Sequence, residues 1–527
     1  MKVALIAPPY PLEEAPSPPL GICYVAAVFE AAGAEVIIID YIVSRYTPEK
    51  LQQQMDEFQP DVVGATSVTL NFLAGAEILK AAKQHCPSVI TIMGGPHVSF
   101  DARNTLTQFP EIDAVIIGEA EKTLMQWLPA AHNRSAWHGI KGLAFFEDGK
   151  FVSTGSGDFI ENLDALPQPS RHLLPLSKYK ALGFPISIIT SRGCPNKCIF
   201  CLGRKMVGFK VRYRNPVLVV DEIESILAMG FERINIADDL FTANKNRVKV
   251  LCEEILNRNI KFGWSAFARV DTVDEEILGI MKKAGCDAVS FGIESGNPEM
   301  LKRVKKRITL DQARQAVGAC KKVGMIAHAS FMVGLPGESR QTMQDSFDFA
   351  RELDIEHGYH FLAPFPGTTV RERLEEYDLE ILTDNWTRYD ANTPIVKTAD
   401  LDPETMESFV ANAYTDVFER WEDSKKRFAE GKGTPEENLA VESEQRLKLI
   451  FGILSNDMIQ DIGNFHSAGQ DPAMELSARI AEKIDMAPAF ICRYIRLWYE
   501  KGYLAYSQDN GLVRWEWAHH KYLNVIN

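Results

Sequence analysis

The chain has 527 residues, with 57 Lys and Arg against 71 Asp and Glu, a net charge of −14 and a pI of about 5.4. That length suits three or four domains. The acidic balance opposes nucleic-acid binding, which depends on neutralising phosphates, and no stretch reaches the roughly 18 uninterrupted apolar residues of a membrane span.

The opening MKVALIAPPYP lacks the long apolar core and small-residue cleavage site of a signal peptide. It reads as a first strand, and a cytoplasmic location is expected. Through residue 135, strands at 2–7, 36–40, 61–67, 89–93 and 114–117 alternate with helices at 20–33, 48–58, 72–86 and from Lys122. Five such units predict a Rossmann-like, doubly wound, mostly parallel sheet. Ligands of these sheets sit at the carboxyl ends of the strands. Gly64, Thr66, Ser67, Thr69, Gly94, Gly95 and Gly118 gather there, either for a ligand or simply as tight turns. No G-x-G-x-x-G follows the first strand, so a nicotinamide site is not supported.

Residues 136–185 are rich in Gly and Pro and read as a surface linker with a small hairpin turned at Asp148-Gly149. Six βα repeats follow within 186–395, with strands at 186–191, 233–237, 262–267, 288–293, 326–333 and 359–365. They predict a (β/α)6 full or partial TIM-type barrel with function at its C-terminal strand ends. Polar groups collect at those ends: Asp238 and Asp239, Arg269 and Asp271, Glu294-Ser295-Gly296, and Gly334 to Glu338. Asp238 and Asp239 suit either a ligand or the N-cap of the next helix. Arg212 and Arg214 suit either an anionic substrate or a solvated face.

The loop after the first of these strands, IITSRGCPNKCIFC, is the chemical centre of the chain. Cys194, Cys198 and Cys201 are three of nine cysteines and lie within eight residues. Thiolates at such gaps converge on one iron–sulfur cube, and three ligands leave one iron of a [4Fe–4S] cluster open. Zinc competes, but a structural zinc site wants a fourth protein ligand and His172 is far upstream. The other six cysteines, Cys23, Cys86, Cys252, Cys286, Cys320 and Cys492, are scattered and read as reduced core thiols.

Residues 396–442 read as a helical linker, highly charged from Trp421 on. Residues 443–527 carry helices and then a hairpin turned at Asn510-Gly511, the order of a winged helix. The second helix holds Arg493, Arg496 and Lys501 among apolar side chains, which fits DNA, a peptide or a structural role.

The spacing of the three cysteines, with Phe200 before the last, resembles the radical S-adenosylmethionine (SAM) superfamily. The stretches PPY, PSPPLGICYVAAVFEAAGAEVIIID, GATSVT, GGPHVS and VIIGEAEKT resemble the cobalamin-binding domain that precedes this core in one subgroup. The resemblance implies a [4Fe–4S] cluster on Cys194, Cys198 and Cys201, SAM chelated at the open iron, and cobalamin in the first domain. It implies SAM contacts from Phe200, Glu294, Ser295 and Gly334, and from Arg269 unless that residue pairs with Asp271 or Asp274. Ser67, Thr69, Gly94, Gly95, Gly118 and Glu119 are the expected cobalamin contacts. The D-x-H-x-x-G loop of other cobalamin proteins is absent, and His97, expected to face solvent, is the one histidine near. Methylthiotransferases place further cysteines ahead of the cluster; only Cys23 and Cys86 are present here, so a second cluster is not supported.

The expected activity is oxygen-sensitive. SAM is cleaved to a 5′-deoxyadenosyl radical, and cobalamin hands a methyl group to an unactivated carbon. Oxidative cyclisation of the magnesium-protoporphyrin monomethyl ester kind is the alternative. A cobalamin-responsive winged-helix regulator is the alternative of another class. An organic substrate and a ferredoxin- or flavodoxin-type electron donor are the expected partners.

Overall fold

The computed structural model describes residues 1–518, so the last nine residues of the expected C-terminal module lie outside the described residues. The first sheet holds β1 (Lys2–Ala7), β2 (Glu35–Asp40), β3 (Val62–Thr66), β4 (Ile90–Gly94) and β5 (Ala114–Ile116), parallel and in the order β2-β1-β3-β4-β5. After Lys2, β1 is apolar because helices cover both faces of a parallel sheet. Its alternate residues serve different cores. Ala4 and Ile6 pack against Leu51, Met55 and Phe72 on one side. Val3 and Leu5 face a larger core on the other, which runs without a break into the second sheet.

Residues 143–153 depart from the expected surface linker. β6 (Leu143–Glu147) and β7 (Lys150–Ser153) form the predicted hairpin, and β6 pairs antiparallel with β5. The first sheet therefore has seven strands. Leu143 and Phe145 are fully buried, and this apolar face explains why the hairpin adds to the sheet edge.

The second sheet contains β8 (Ile186–Ile188), β9 (Arg233–Ile236), β10 (Gly263–Ala268), β11 (Cys286–Glu294), β12 (Ile326–Val333) and β13 (Glu356–Phe361). They are parallel, in sequential order, and β8 does not pair with β13, so the barrel is partial. The intervening helices begin where short polar side chains accept the free amides: Asn244, Asp274, Thr309 and Ser339 are the N-caps. Asn244 takes the role considered for Asp238 and Asp239. Alternation sends Ile234, Trp264, Phe291 and Phe331 outward to these helices. The inner wall carries the other residues, among them Asn235, Ser265, Ser290, His328 and Ser330. A closed barrel fills this space with bulky branched side chains; here small polar groups leave it accessible.

The charged stretch from Trp421 is helical, spanning Thr415–Ala429 and Pro435–Ser455 with a break at Gly431. Beyond it, helices Pro472–Ala481 and Pro488–Glu500 pack on a three-stranded sheet of β14 (Asn464–His466), β15 (Leu504–Asp509) and β16 (Leu512–Trp517). Asn510 and Gly511, at φ 49° and 78°, make the expected turn. Arg446 ties this module to the rest by donating to the carbonyls of Ala181 and Leu182, both at 3.0 Å. Among the described residues no helix is long and apolar enough to cross a membrane.

Candidate functional site

Order reversal in the first sheet places its switch point between β1 and β3, where ligands of open α/β sheets bind. A cavity of ≈ 360 Å³ opens there, lined by Ala7, Pro8, Tyr10, Ile42, Ser67 and Val68 among others. The Ser67 hydroxyl is buried and lacks a hydrogen-bond partner. Gly95 sits at φ 114°, and a Cβ on it would fall 2.2 Å from the Ser67 carbonyl oxygen. The two strand-end loops therefore close on each other as only glycine allows. An orphaned hydroxyl in a crevice at the switch point fits a large polar-rimmed ligand such as a corrin and its tail.

His97 does not face solvent. It is 1 % exposed, with its ring stacked on Phe72 at 4.0 Å and edge-on to Trp386 at 4.8 Å. Its Nδ1 lies 3.3 Å from the Thr69 hydroxyl, and burial lowers its pKa to about 4. Thr69 is thus engaged by this neutral imidazole.

The cysteine loop leaves β8 at the mouth of the partial barrel and is fastened at several points. Asp238, at the end of β9, accepts from the Thr190 amide, the Thr190 hydroxyl and the Ser191 hydroxyl, each at 2.6 Å. Arg247 donates to the Thr190 carbonyl at 2.7 Å. Gly193, at φ 114°, lets the chain pass Lys210 where a Cβ would meet its carbonyl oxygen at 2.3 Å. Ile199 is fully buried, and its amide donates to the Val304 carbonyl at 3.1 Å. Phe200 packs beside it against the same apolar cluster.

The donor set of this loop suits a cluster. The three thiols are free and close enough to perturb one another. Burial raises the Cys198 thiol, so a thiolate there calls for compensating positive charge. Arg269 and Lys306 supply part of it beside Cys198. Among the described residues no three His, Cys, Asp or Glu side chains stand close enough together to share a single ion.

Around the mouth, Glu294 ends β11 at φ 75°, a strained conformation for a residue with a side chain. Its Oε1 lies 2.7 Å from Lys306 Nζ, and both side chains are buried. Ser295 turns away toward Ser346 at 3.2 Å. Arg269 grips Asp271 through Nε and Nη2 at 2.9 and 3.0 Å and donates to the Lys306 carbonyl. After β12, the amides of Gly334 and Leu335 donate to buried Glu338, whose pKa burial raises to about 8.

The two ligand ends are locked together. Arg192, two residues before Cys194, meets Glu121 at 2.6 Å. Arg212 pairs antiparallel with Arg192 and grips Glu119 with two bonds of 2.6 and 2.9 Å. Glu119 also accepts from the Ile160 amide at 2.8 Å. Neither Arg212 nor Arg214 forms a solvated face; Arg214 pairs with fully buried Glu222. Gly118 donates its amide to the Ser99 hydroxyl at 3.0 Å beside this network. Sequence reasoning missed the network, Lys306 and Trp386. The one available signal was two carboxylates in GEAE set against arginines flanking the cysteine loop.

Residues 188–350 match the family model of the Radical SAM superfamily, and residues 14–128 match that of the B12 binding domain. The uncharacterized methyltransferase PH0819 of Pyrococcus horikoshii is 36% identical over 434 residues, covering 80% of this chain and 93% of that protein. The anaerobic magnesium-protoporphyrin IX monomethyl ester cyclase of Rubrivivax gelatinosus is 29% identical, covering 76% of this chain and 74% of that one. The structure of the cobalamin-dependent S-adenosylmethionine radical enzyme OxsB matches with a TM-score of 0.67 at 17% identity, over 94% of this chain and 78% of that one. That likeness is one of fold. With a close relative spanning most of both chains and both domain models in place, the chain belongs to the cobalamin-dependent radical SAM enzymes.

Proposed function

We propose that this enzyme transfers a methyl group to an unactivated carbon of an organic substrate. The observation that carries the reading is the facing of two ligand ends. Glu119 and Glu121 follow β5 of the first sheet, Arg192 follows β8 of the partial barrel, and buried ion pairs of 3.5 and 2.6 Å join them. A ligand in the first sheet's crevice and a group at the barrel mouth then address one space. Group relay between two cofactors needs that proximity. The naming of the Pyrococcus relative as a methyltransferase supports the same reading.

The bound groups supply an electron from a [4Fe–4S] cluster, a 5′-deoxyadenosyl radical from SAM and methyl carriage on cobalt. The chain's own residues bind and orient. Cys194, Cys198 and Cys201 would hold the cluster, with Arg269 and Lys306 offsetting thiolate charge. Glu294 would accept hydrogen bonds from the SAM ammonium or ribose. Arg269 has Nε and Nη2 committed to Asp271, leaving Nη1 for the SAM carboxylate. Phe200 and the Gly334 loop would border SAM, and Ser295 would brace Glu294 through Ser346. Ser67, Thr69, Gly94, Gly95 and Gly118 would border the corrin, with Glu119 clamping that loop in place. His97 is packed between Phe72 and Trp386, so an imidazole ligand on cobalt is not part of this scheme. A ferredoxin- or flavodoxin-type protein delivers the electron.

Protein reconstituted anaerobically with cobalamin, SAM and a strong reductant should yield 5′-deoxyadenosine and S-adenosylhomocysteine together. Deoxyadenosine alone would favour cyclase chemistry, which the Rubrivivax relative represents. Neither product from fully loaded protein, in the presence of candidate acceptors, would sink both readings. The regulator alternative finds no support at the C-terminal helix, where Arg493 and Arg496 are paired with Glu442 and Asp471.

A further inference from the structure

The cluster loop carries a charge that the rest of the chain does not share. From Arg192 to Arg214 there are seven Lys and Arg and no Asp or Glu, in a chain whose net charge is −14. Three of the seven, Arg192, Arg212 and Arg214, are taken up by buried glutamates, and Lys205 pairs with Glu372. Lys197 and Lys210 are exposed and make no ion pair among the described residues. Arg204 lies with its guanidinium 5.6 Å from the centre of the Phe209 ring, and Phe209 is 65 % exposed. Phe209 and Lys210 line a surface groove of ≈ 310 Å³ with Phe159 and Glu161.

These residues are contiguous with the three thiols. Lys197 lies between Cys194 and Cys198. Arg204 donates to the Pro195 carbonyl at 3.3 Å, and the Gly203 amide donates to Cys201 Sγ at 3.4 Å. Cys201 is the exposed member of the three. An exposed aromatic ring rimmed by unpaired cations has the composition of a protein contact surface. Set on an acidic protein, it selects for a partner of negative charge and speeds its approach.

We propose that this patch is the docking surface of an acidic one-electron carrier protein. The proposal rests on the reading of Cys194, Cys198 and Cys201 as cluster ligands. One electron leaves the reduced carrier and enters the oxidised cluster, from which SAM cleavage removes it. No bond or proton changes hands at the interface.

The test uses full-length, anaerobically reconstituted protein. Reduced flavodoxin, reduced ferredoxin and titanium(III) citrate are each mixed with it, and bleaching of the cluster absorbance is followed by stopped flow. Calorimetric titration with each oxidised carrier gives binding separately from turnover. In the double variant Lys197→Glu/Lys210→Glu, the rate with the better carrier should fall roughly tenfold or more at low salt, as expected for lost steering. Its salt dependence should flatten and its binding weaken in parallel. The rate with titanium(III) citrate should not change. Lys197→Arg/Lys210→Arg should behave as wild type, as should Lys448→Glu on the C-terminal module. The proposal is overturned if the Glu variant accepts electrons from the carrier at the wild-type rate. It is equally overturned if neither carrier reduces wild type while titanium(III) citrate does. Failure of titanium(III) citrate to reduce any cluster would remove the ligand reading itself, and the docking surface with it.

Discussion

Arg212 and Glu119 share two hydrogen bonds of 2.6 and 2.9 Å, although they lie 93 residues apart, Glu119 in the loop after β5 and Arg212 on the short strand paired with Arg192. Their side chains are 8% and 3% exposed. Truncating one partner of such a pair leaves a buried charge unpaired, which costs about 3–5 kcal/mol. Glu119→Ala should therefore lower the apparent melting temperature and separate the first sheet's transition from that of the barrel in calorimetry. Glu119→Ala/Arg212→Ala should be no worse than either single change, because the coupling is already lost. Additive losses in the double variant would show that the two side chains do not act as a pair.

Asp238 is expected to govern cluster loading, not stability alone. It fixes the start of the cysteine loop through three bonds that do not involve the thiols. Each bond to a charged acceptor contributes about 1.5–3 kcal/mol. Asp238→Ala should retain the secondary structure while taking up much less iron and sulfide on reconstitution. Removing the iron from wild type with a chelator should, conversely, leave its circular dichroism unchanged. Unfolding on chelation would mean that the metal organises the loop.

Local signals were legible in the chain, and long-range pairings were not. The periodicity of β1 to β5 and of the six barrel strands gave both sheets, and the cysteine spacing gave the centre of the site. Asp148-Gly149 announced a hairpin, but nothing local says that β6 will pair with β5. Arg212 and Arg214 look like a solvated basic stretch until the fold brings Glu119 and Glu222 to them. His97 looks like a turn residue because Trp386, which covers it, comes from the far end of the barrel segment. Lys306 escaped notice within VKKRI. It is turned inward by neighbours Lys305 and Arg307 at φ 57° and 58°, conformations that propensity does not foretell.

The buried state of His97 sets a pH dependence. Its folded pKa, near 4, lies below the usual value of 6.5 because burial disfavours the charged ring and Arg371 adds to the effect. The unfolded chain therefore binds this proton first as the pH falls. Stability from this group is intact above about pH 6.5, declines below it, and reaches its full loss below pH 4. The loss is at most about 3 kcal/mol for a shift of this size. Asp101, 3.9 Å from Nε2, titrates nearby, with its carboxyl raised by burial. The comparison therefore has to be with His97→Phe in the same pH series. The variant should lose less stability than wild type between pH 6.5 and pH 4. Parallel curves would mean that His97 is not neutral in the folded state.

Lys306 should separate SAM binding from cluster assembly. Its ammonium lies 2.7 Å from Glu294 and also adds positive charge near Cys198. Lys306→Met removes the charge and keeps most of the side chain's bulk, leaving the Glu294 carboxylate without its cation. If Glu294 holds the SAM ammonium or ribose, that carboxylate loses its fixed orientation. SAM affinity, measured by equilibrium dialysis on cluster-loaded protein, should then fall about tenfold, equivalent to about 1.4 kcal/mol. Iron content should fall much less than SAM affinity, because the three thiols are intact and Arg269 still adds positive charge beside Cys198. Glu294→Gln should weaken SAM binding to a similar degree, and the double variant Glu294→Gln/Lys306→Met little further, since the two act as one unit. Unchanged SAM affinity in both single variants would remove Glu294 from the SAM site and leave the ion pair as a brace for the strained end of β11.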